Sequence, residues 1–119
     1  MSEIVLIGLN HKTAPVELRE CIAFTEDQTA ATLAQLRNDS HVDEVLLFST
    51  CNRVELLMVT SNAEDAVHAA TRMLLRVQPA PYEAFEKALY VHHGDDAVRH
   101  VFRVAASLDS MVLGEPQIL

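Results

Sequence analysis

The chain has 119 residues, of which half are hydrophobic and 22% are charged, and its formal net charge is −8. This length suits one compact domain, and the acidic balance argues against a protein that holds nucleic acid mainly through a basic surface. Apolar runs such as residues 45–48 and 56–59 are only four residues long, whereas a bilayer span needs about 20 apolar residues. Because the first nine residues show no export signal, we expect a cytoplasmic protein with reduced cysteines and no membrane association.

The predicted elements alternate between strands and helices. A β-branched run at residues 4–9 predicts the first strand, and Thr25 with Gln28 has the form of a capping box that starts a helix. Ser61 with Glu64 repeats the capping-box pattern. In chain order we predict a strand at 4–9, a short helix ending at Cys21, a helix at 26–37, a hairpin of strands 44–49 and 53–60, a helix from the Ser61 cap to about 77, a strand at 89–92 and a last helix at 96–108.

This order predicts an α+β fold of the ferredoxin-like, split β-α-β type. One four-stranded antiparallel sheet would carry helices on one face, and a C-terminal helix would follow. The fold serves many unrelated functions, including RNA-binding modules, so it assigns no function by itself. Residues 114–119 finish on the apolar pair Ile118-Leu119 without a polar tail, so we expect that the chain is part of a longer protein.

Cys51 is the strongest candidate for chemistry. It lies at the tip of the predicted hairpin, and Arg53 follows two residues later. The thiolate is the reactive form of cysteine, and a nearby positive charge together with loop N–H groups favours it. The alternative is a small turn residue without a role, since most single cysteines are structural. Cys21 has apolar neighbours and is predicted to be an inert core residue.

The histidines offer one further catalytic candidate and no metal site. His100 lies beside Ala97 and Val104 at the rim of the apolar face of the last helix, where it can exchange protons near neutral pH. The alternative is a half-buried histidine with one satisfied hydrogen bond. The pair His92-His93 lacks a second cluster with metal-ligand spacing, and neither cysteine lies in a C-x-x-C motif, so we predict no metal.

The three glycines, Gly8, Gly94 and Gly114, are far apart. Neither a G-x-G-x-x-G fingerprint nor a P-loop can be built from them. We therefore expect that this chain binds neither a dinucleotide through a Rossmann site nor a nucleoside triphosphate through a P-loop.

Three stretches together resemble glutamyl-tRNA reductase. They are GLNHKTAPV at residues 8–16, STCNRVE at 49–55, and HVFRVA at 100–105 continuing to LDSMVLGEPQIL at 108–119. The family often has a glycine before the Leu108-Asp109 pair, where this chain has Ala106-Ser107. The resemblance implies that residues 1–119 form the N-terminal catalytic, glutamate-recognition domain, and that an NADPH-binding domain and a helical dimerisation domain follow in the longer protein.

The resemblance also implies an activity. The Cys51 sulfur would attack the ester carbonyl that joins glutamate to its tRNA, and NADPH would reduce the resulting thioester to glutamate-1-semialdehyde, the entry compound of tetrapyrrole (porphyrin) biosynthesis. This fragment alone would not reduce the thioester. The implied partners are glutamyl-tRNA, a second copy bound through the absent C-terminal domain, and the next enzyme of the pathway, glutamate-1-semialdehyde aminomutase.

The resemblance also implies roles for the residues at matching positions of this sequence. His100 would assist, as proton donor to the leaving hydroxyl or as an orienting group. Arg53 suits a bidentate grip on the substrate side-chain carboxylate, and Glu115 is a candidate partner of the substrate ammonium. The glutamate pocket would be lined by Thr50, Asn52 and Arg53 and bordered by Ser110, Glu115, Pro116 and Gln117. Without the family pattern, Arg53 is an ordinary surface charge, and Ser110 and Glu115 are helix-end residues.

The rival hypothesis is a non-catalytic, RNA- or partner-binding module on the same ferredoxin-like scaffold. An RNA-recognition domain needs aromatic residues on its sheet and a basic face. Phe48 is the only aromatic residue of the central hairpin, and the net charge is acidic. Both observations disfavour this hypothesis.

Overall fold

The structure is a computed structural model that describes residues 2–78 and 80–113, with the side chains of these residues other than Cys21 and 108–113. None of the helices in these ranges has both the length and the apolar character needed to cross a membrane. Along the chain the elements are strand β1 (Glu3–Asn10), a 3-10 helix (Val16–Cys21), helix α1 (Glu26–Arg37), strands β2 (Glu44–Ser49) and β3 (Arg53–Thr60), helices α2 (Ala63–Val77) and α3 (Tyr82–Ala88), strand β4 (Tyr90–His93) and helix α4 (Asp95–Leu113).

The four strands form one antiparallel sheet in the order β2-β3-β1-β4. Because β1 lies between β3 and β4, Gly8 is paired with Glu55 on one side and with Tyr90 on the other. This strand order, with helical connections from β1 to β2 and from β3 to β4, is the ferredoxin-like arrangement. The predicted α+β class is therefore confirmed.

The main hydrophobic core lies between α1, α2 and one face of the sheet. Successive strand residues point to opposite faces, so alternate residues of each central strand enter this core. Burying a Leu or Ile side chain contributes about 1.5–3 kcal/mol relative to exposure, and this face therefore supplies most of the stability. Its strand residues include Val5, Ile7 and Leu9 of β1 and Val54, Leu56 and Met58 of β3, and α2 adds Ala66, Ala70 and Leu74.

Helix α4 lies on the opposite face of the sheet. It contacts β4 and β1, and its Val101 and Val104 line a cavity together with the strand residues Leu6 and Leu57. Ala97 is fully buried, whereas Val101 is 36% exposed. The second face is therefore only partly covered, and polar side chains share it with the helix.

Helix α2 begins one residue later than predicted. Asn62 is its N-cap and its side-chain oxygen accepts a hydrogen bond from the backbone N–H of Asp65, at 3.1 Å. The prediction that Ser61 caps this helix was wrong. Adjacent positions both offer cap-forming side chains, and the chain becomes helical only after Asn62.

The C-terminal third also departs from the sequence prediction. The prediction omits α3, a helix of seven residues with Pro81 as its N-cap, because so short a helix shows fewer than about two turns of apolar periodicity. Strand β4 is shifted by one residue, to Tyr90–His93. Helix α4 begins one residue before the predicted start and continues past the predicted end at Leu108 to Leu113.

Candidate active site

Cys51 lies in the three-residue connection between β2 and β3. It is exposed and unbridged. The backbone N–H of Thr50 donates to the carbonyl of Arg53 at 2.8 Å, and the N–H of Asn52 donates to the Thr50 hydroxyl oxygen at 3.1 Å. These two hydrogen bonds close the hairpin tightly and leave the sulfur in solvent.

A second loop braces this hairpin tip. It follows β1, where the N–H of His11 donates to the carbonyl of Asn52 at 2.8 Å. The side-chain oxygen of Asn10 in turn accepts from the N–H groups of Lys12, at 2.9 Å, and Thr13, at 3.0 Å. An Asn that bonds the backbone two and three residues onward fixes a tight turn. The His11 N–H thus bonds the Cys51 loop from a turn that Asn10 itself holds in place.

The base of the hairpin is tied to the chain ahead of α1. The Ser49 hydroxyl donates to the carbonyl of Ile22 at 3.2 Å and accepts from the N–H of Phe24 at 3.0 Å. These contacts join positions far apart in sequence. They fix the last residue of β2, one step before the loop that carries the thiol.

A buried carboxylate lies on the same strand as Arg53. Glu55 is only 5% exposed, although it is acidic, and its neighbours on β3 are apolar. Its Oε2 accepts a hydrogen bond of 2.5 Å from the Tyr90 hydroxyl, lies 3.5 Å from Nη1 of Arg53 and contacts Nε2 of His100. These four residues are called the Glu55 cluster below.

The carboxylate reaches β4 by passing over Gly8. A Cβ atom at Gly8 would lie 2.8 Å from the Glu55 Cγ and 2.6 Å from the carbonyl oxygen of Val54. Carbon atoms normally approach only to about 3.5–4.0 Å. A glycine is therefore required at this position of β1, because its missing side chain leaves the path by which Glu55 reaches Tyr90.

The two rings that contact the carboxylate, Tyr90 and His100, pack with each other and with His92. His92 stacks on His100, with ring centroids 4.7 Å apart and planes inclined by 29°, and the Tyr90 ring lies 5.3 Å from that of His100. Burial, the hydrogen bond to Glu55 and the charge of Glu55 raise the pKa of Tyr90, so its hydroxyl keeps its proton and donates. Burial and the neighbouring positive charge of His100 lower the pKa of His92.

An apolar cavity of about 130 Å³ adjoins the Glu55 cluster between the sheet and α4. Of the described residues that line it, Glu55 is the one with a charged side chain. Within the part of the chain that the structure describes, neither Cys51 nor Arg53 lines this cavity, so it is not the glutamate pocket predicted from the sequence. Its walls are formed by Leu6, Leu46, Phe48, Glu55, Leu57, Val101, Val104 and Ala105.

The structure brings most of the predicted site residues to one end of the sheet. Thr50, Cys51, Asn52 and Arg53 share the hairpin, and Glu55 links His100 to Arg53. Four extended residues span at most about 14 Å, which bounds the backbone separation of Cys51 and Glu55. The side chain of Ser110 and all of Glu115, Pro116 and Gln117 lie outside the described residues.

The sequence reasoning missed Glu55, Tyr90 and Gly8 as site residues. One signal was present, since an acidic residue in the middle of an otherwise apolar strand is costly to bury unless it has partners. The alternation Tyr90-Val91-His92 also places Tyr90 and His92 on one face of their strand. Among the side chains that the structure describes, no three of His, Cys, Asp or Glu come close enough together to hold a metal ion.

Comparison with known proteins identifies the family. A family described as "Glutamyl-tRNAGlu reductase, N-terminal domain" matches residues 7–119. Glutamyl-tRNA reductases of Desulfatibacillum aliphaticivorans and Geobacter sulfurreducens are 51% identical over 117 and 116 residues, covering 98% of this chain and 27% of each relative. The solved glutamyl-tRNA reductase of Methanopyrus kandleri aligns with a TM-score of 0.60 and 28% identity, over 99% of this chain and 26% of that one. The chain thus spans about a quarter of the length of these relatives, and it belongs to the family of glutamyl-tRNA reductase N-terminal domains.

Proposed function

We propose that this chain is the substrate-activating domain of a glutamyl-tRNA reductase, with Cys51 as its nucleophile. The Cys51 thiolate attacks the carbonyl carbon of the glutamyl ester, a C–S bond forms, and the C–O bond to the tRNA ribose breaks. The products of this step are free tRNA and an enzyme thioester. Covalent catalysis of this kind divides one difficult displacement into two easier steps.

The observation that carries the proposal is the exposed sulfur of Cys51 on a braced hairpin tip. A nucleophile needs access for its substrate and a rigid support. The Asn52 carbonyl, fixed by the His11 N–H at 2.8 Å, and the Thr50–Arg53 bond at 2.8 Å supply that support. Because the tip is polar and open to solvent, a substrate as large as an aminoacyl-tRNA can reach it.

Arg53 is proposed to bind the side-chain carboxylate of the glutamyl group. Its guanidinium has five N–H donors, and Nη1 faces Glu55 at 3.5 Å. The remaining donors can form a bidentate pair with a second carboxylate. Its pairing with the buried Glu55 also limits the orientations of the guanidinium, which favours recognition of a substrate of one length.

His100 is proposed to deliver a proton to the ribose oxygen that leaves with the tRNA. Its Nε2 contacts Glu55, so the carboxylate occupies that ring nitrogen. Nδ1 is then the nitrogen available for proton transfer. Transfer of the proton as the C–O bond breaks avoids release of an alkoxide into solvent.

The remaining roles extend to the longer protein. We propose that Thr50 and Asn52 line the glutamate pocket and that Ser110, Glu115, Pro116 and Gln117 border it. The 119 residues contain no glycine-rich phosphate loop, so NADPH, which would supply hydride, is assigned to a domain outside this chain. Membership of this family is also the basis for three wider proposals. They are a role in tetrapyrrole biosynthesis in the cytoplasm, dimerisation through the C-terminal domain, and association with glutamate-1-semialdehyde aminomutase.

The proposal is tested by single-turnover labelling with glutamyl-tRNA carrying a radioactive glutamate. We expect acid-stable label on the chain and on Cys21→Ser, and none on Cys51→Ser. Equal labelling of both serine variants would reject Cys51 as nucleophile. Strongly salt-dependent tRNA binding that survives Cys51→Ala, without thiol reactivity, would instead support the non-catalytic RNA-binding module.

A further inference from the structure

The arrangement around His100 selects one of its two neutral tautomers. The ring nitrogen Nε2 contacts Glu55 Oε2, and a carboxylate oxygen there acts as the acceptor of a proton on Nε2. That leaves Nδ1 without a proton when the ring is neutral. A catalytic imidazole works through one nitrogen, and the group bound to the other nitrogen determines which one.

Glu55 can select the tautomer only if its own position is fixed. Its Oε2 is held by the Tyr90 hydroxyl at 2.5 Å and lies 3.5 Å from Arg53 Nη1. Arg53 is proposed above to bind substrate, so its contact with Glu55 changes during the reaction. Tyr90 reaches the same oxygen from β4, across β1, and no contact with substrate is proposed for it.

We propose that Tyr90 is a positioning residue: its hydroxyl holds Glu55 against Nε2 of His100, so that Nδ1 is the nitrogen left for proton exchange with the substrate. This role rests on the function proposed above. It explains why a tyrosine on the short edge strand β4 is directed at a carboxylate two strands away. It also gives a reason for Gly8, whose missing side chain leaves the carboxylate room to cross β1.

The surroundings of Tyr90 keep its hydroxyl protonated, so that it remains a hydrogen-bond donor. Burial and the adjacent Glu55 raise the pKa of the Tyr90 hydroxyl. His92, which stacks on His100 at 4.7 Å, has its pKa lowered and stays neutral to lower pH than an ordinary histidine. His92 therefore adds no positive charge beside His100 near neutral pH.

The first test measures the tautomer directly, in the 119-residue chain labelled with 15N-histidine. Tyr90→Phe removes only the hydroxyl, and Tyr82→Phe, at an exposed position, is the matched control. At alkaline pH we expect the wild type and Tyr82→Phe to show a protonated Nε2 and an unprotonated Nδ1 on His100. We expect Tyr90→Phe to show averaged shifts of a tautomer mixture. Glu55→Gln should show the same loss, and an unchanged tautomer in Tyr90→Phe would overturn the proposal.

The second test separates rate from binding in single-turnover transfer of glutamate from its tRNA to Cys51. A lost hydrogen bond worth one or two kcal/mol changes an equilibrium 5- to 30-fold, so we expect roughly a tenfold slower transfer in Tyr90→Phe at an unchanged half-saturating concentration of glutamyl-tRNA. A weaker half-saturation at an unchanged rate would indicate a purely structural tyrosine and reject the role.

Failure of the inference can be told from failure of the proposed function. If the wild type does not label Cys51, the function is rejected, and the catalytic role of Tyr90 with it. If the wild type labels normally while Tyr90→Phe keeps both the rate and the tautomer of His100, only the role of Tyr90 is rejected.

Discussion

Replacing Gly8 by alanine is expected to disrupt the Glu55 cluster while leaving the opposite face of the sheet intact. The new Cβ would lie 2.6 Å from the carbonyl oxygen of Val54 and 2.8 Å from the Cγ of Glu55. Both contacts are about 1 Å shorter than ordinary van der Waals separations. Either β1 and β3 move apart, or the Glu55 side chain turns away from Tyr90.

The expected cost follows from these two routes. Overpacking of this kind destabilises a protein by about 1–3 kcal/mol. If Glu55 turns away, the loss of its partners adds the cost of a buried polar group without them, about 1–3 kcal/mol or more for a charged group. Domains of this size have a total free energy of unfolding of about 5–15 kcal/mol, so the Gly8→Ala chain is expected to fold with clearly reduced stability.

Gly94→Ala is the matched control for the Gly8 substitution. Gly94 has a positive φ of 55°, and a Cβ there would meet no atom within 4 Å. Its substitution costs about 1–2 kcal/mol through backbone conformation alone, without touching Glu55. Urea unfolding gives the stability of both variants, and 15N spectra of His100 report on the cluster. The reasoning is refuted if Gly8→Ala leaves the His100 tautomer unchanged and destabilises no more than Gly94→Ala.

Three further predictions concern the thiols, a histidine and a helix cap. Iodoacetamide is expected to modify Cys51 faster than Cys21 in the folded chain, and mass spectrometry showing preferential modification of Cys21 would contradict this. Because the folded-state pKa of His92 is lowered, the unfolded chain binds the proton more readily. Stability is therefore lost as the pH falls below the ordinary histidine pKa of about 6.5. Urea titrations between about pH 7 and 5 should show a smaller decline of stability in His92→Gln. An equally steep decline in the variant would exclude His92 as a cause. Asn62→Ala is expected to cost about 1 kcal/mol of unfolding free energy, whereas Ser61→Ala should be nearly neutral, and the reverse order would return the α2 cap to Ser61.

The regular elements could be predicted because their signals are local. The capping box of Thr25 and Gln28 is present with both reciprocal hydrogen bonds, and the hairpin strands begin and end at the predicted residues. A hairpin with three connecting residues fixes its own pairing. Where two caps compete in neighbouring positions, as at Ser61 and Asn62, the outcome depends on packing of the following helix, which single-residue patterns do not contain.

The candidate site could be predicted only in part, for a different reason. Cys51 and Arg53 are two residues apart, so their proximity can be predicted from the chain itself. Glu55, Tyr90 and His100 come from β3, β4 and α4, and their contact depends on the strand order and on the face that α4 covers. The sequence shows an acidic residue in an apolar strand, and only the fold shows which groups surround it.

One face of the sheet carries core residues that stabilise the fold, and the other carries residues of the candidate active site. Val54 and Leu56 of β3 point into the core with α1 and α2. Arg53 and Glu55, which alternate with them along the strand, point to the face that α4 covers. One strand thus carries both sets of residues in strict alternation, because successive side chains point to opposite faces. A one-residue slip of β3 would place the carboxylate in the apolar core and Leu56 on the opposite face. The apolar set that drives folding therefore also sets the register that carries Arg53 and Glu55 to the site, and Cys51 follows from the same register because the hairpin loop is too short to absorb a shift.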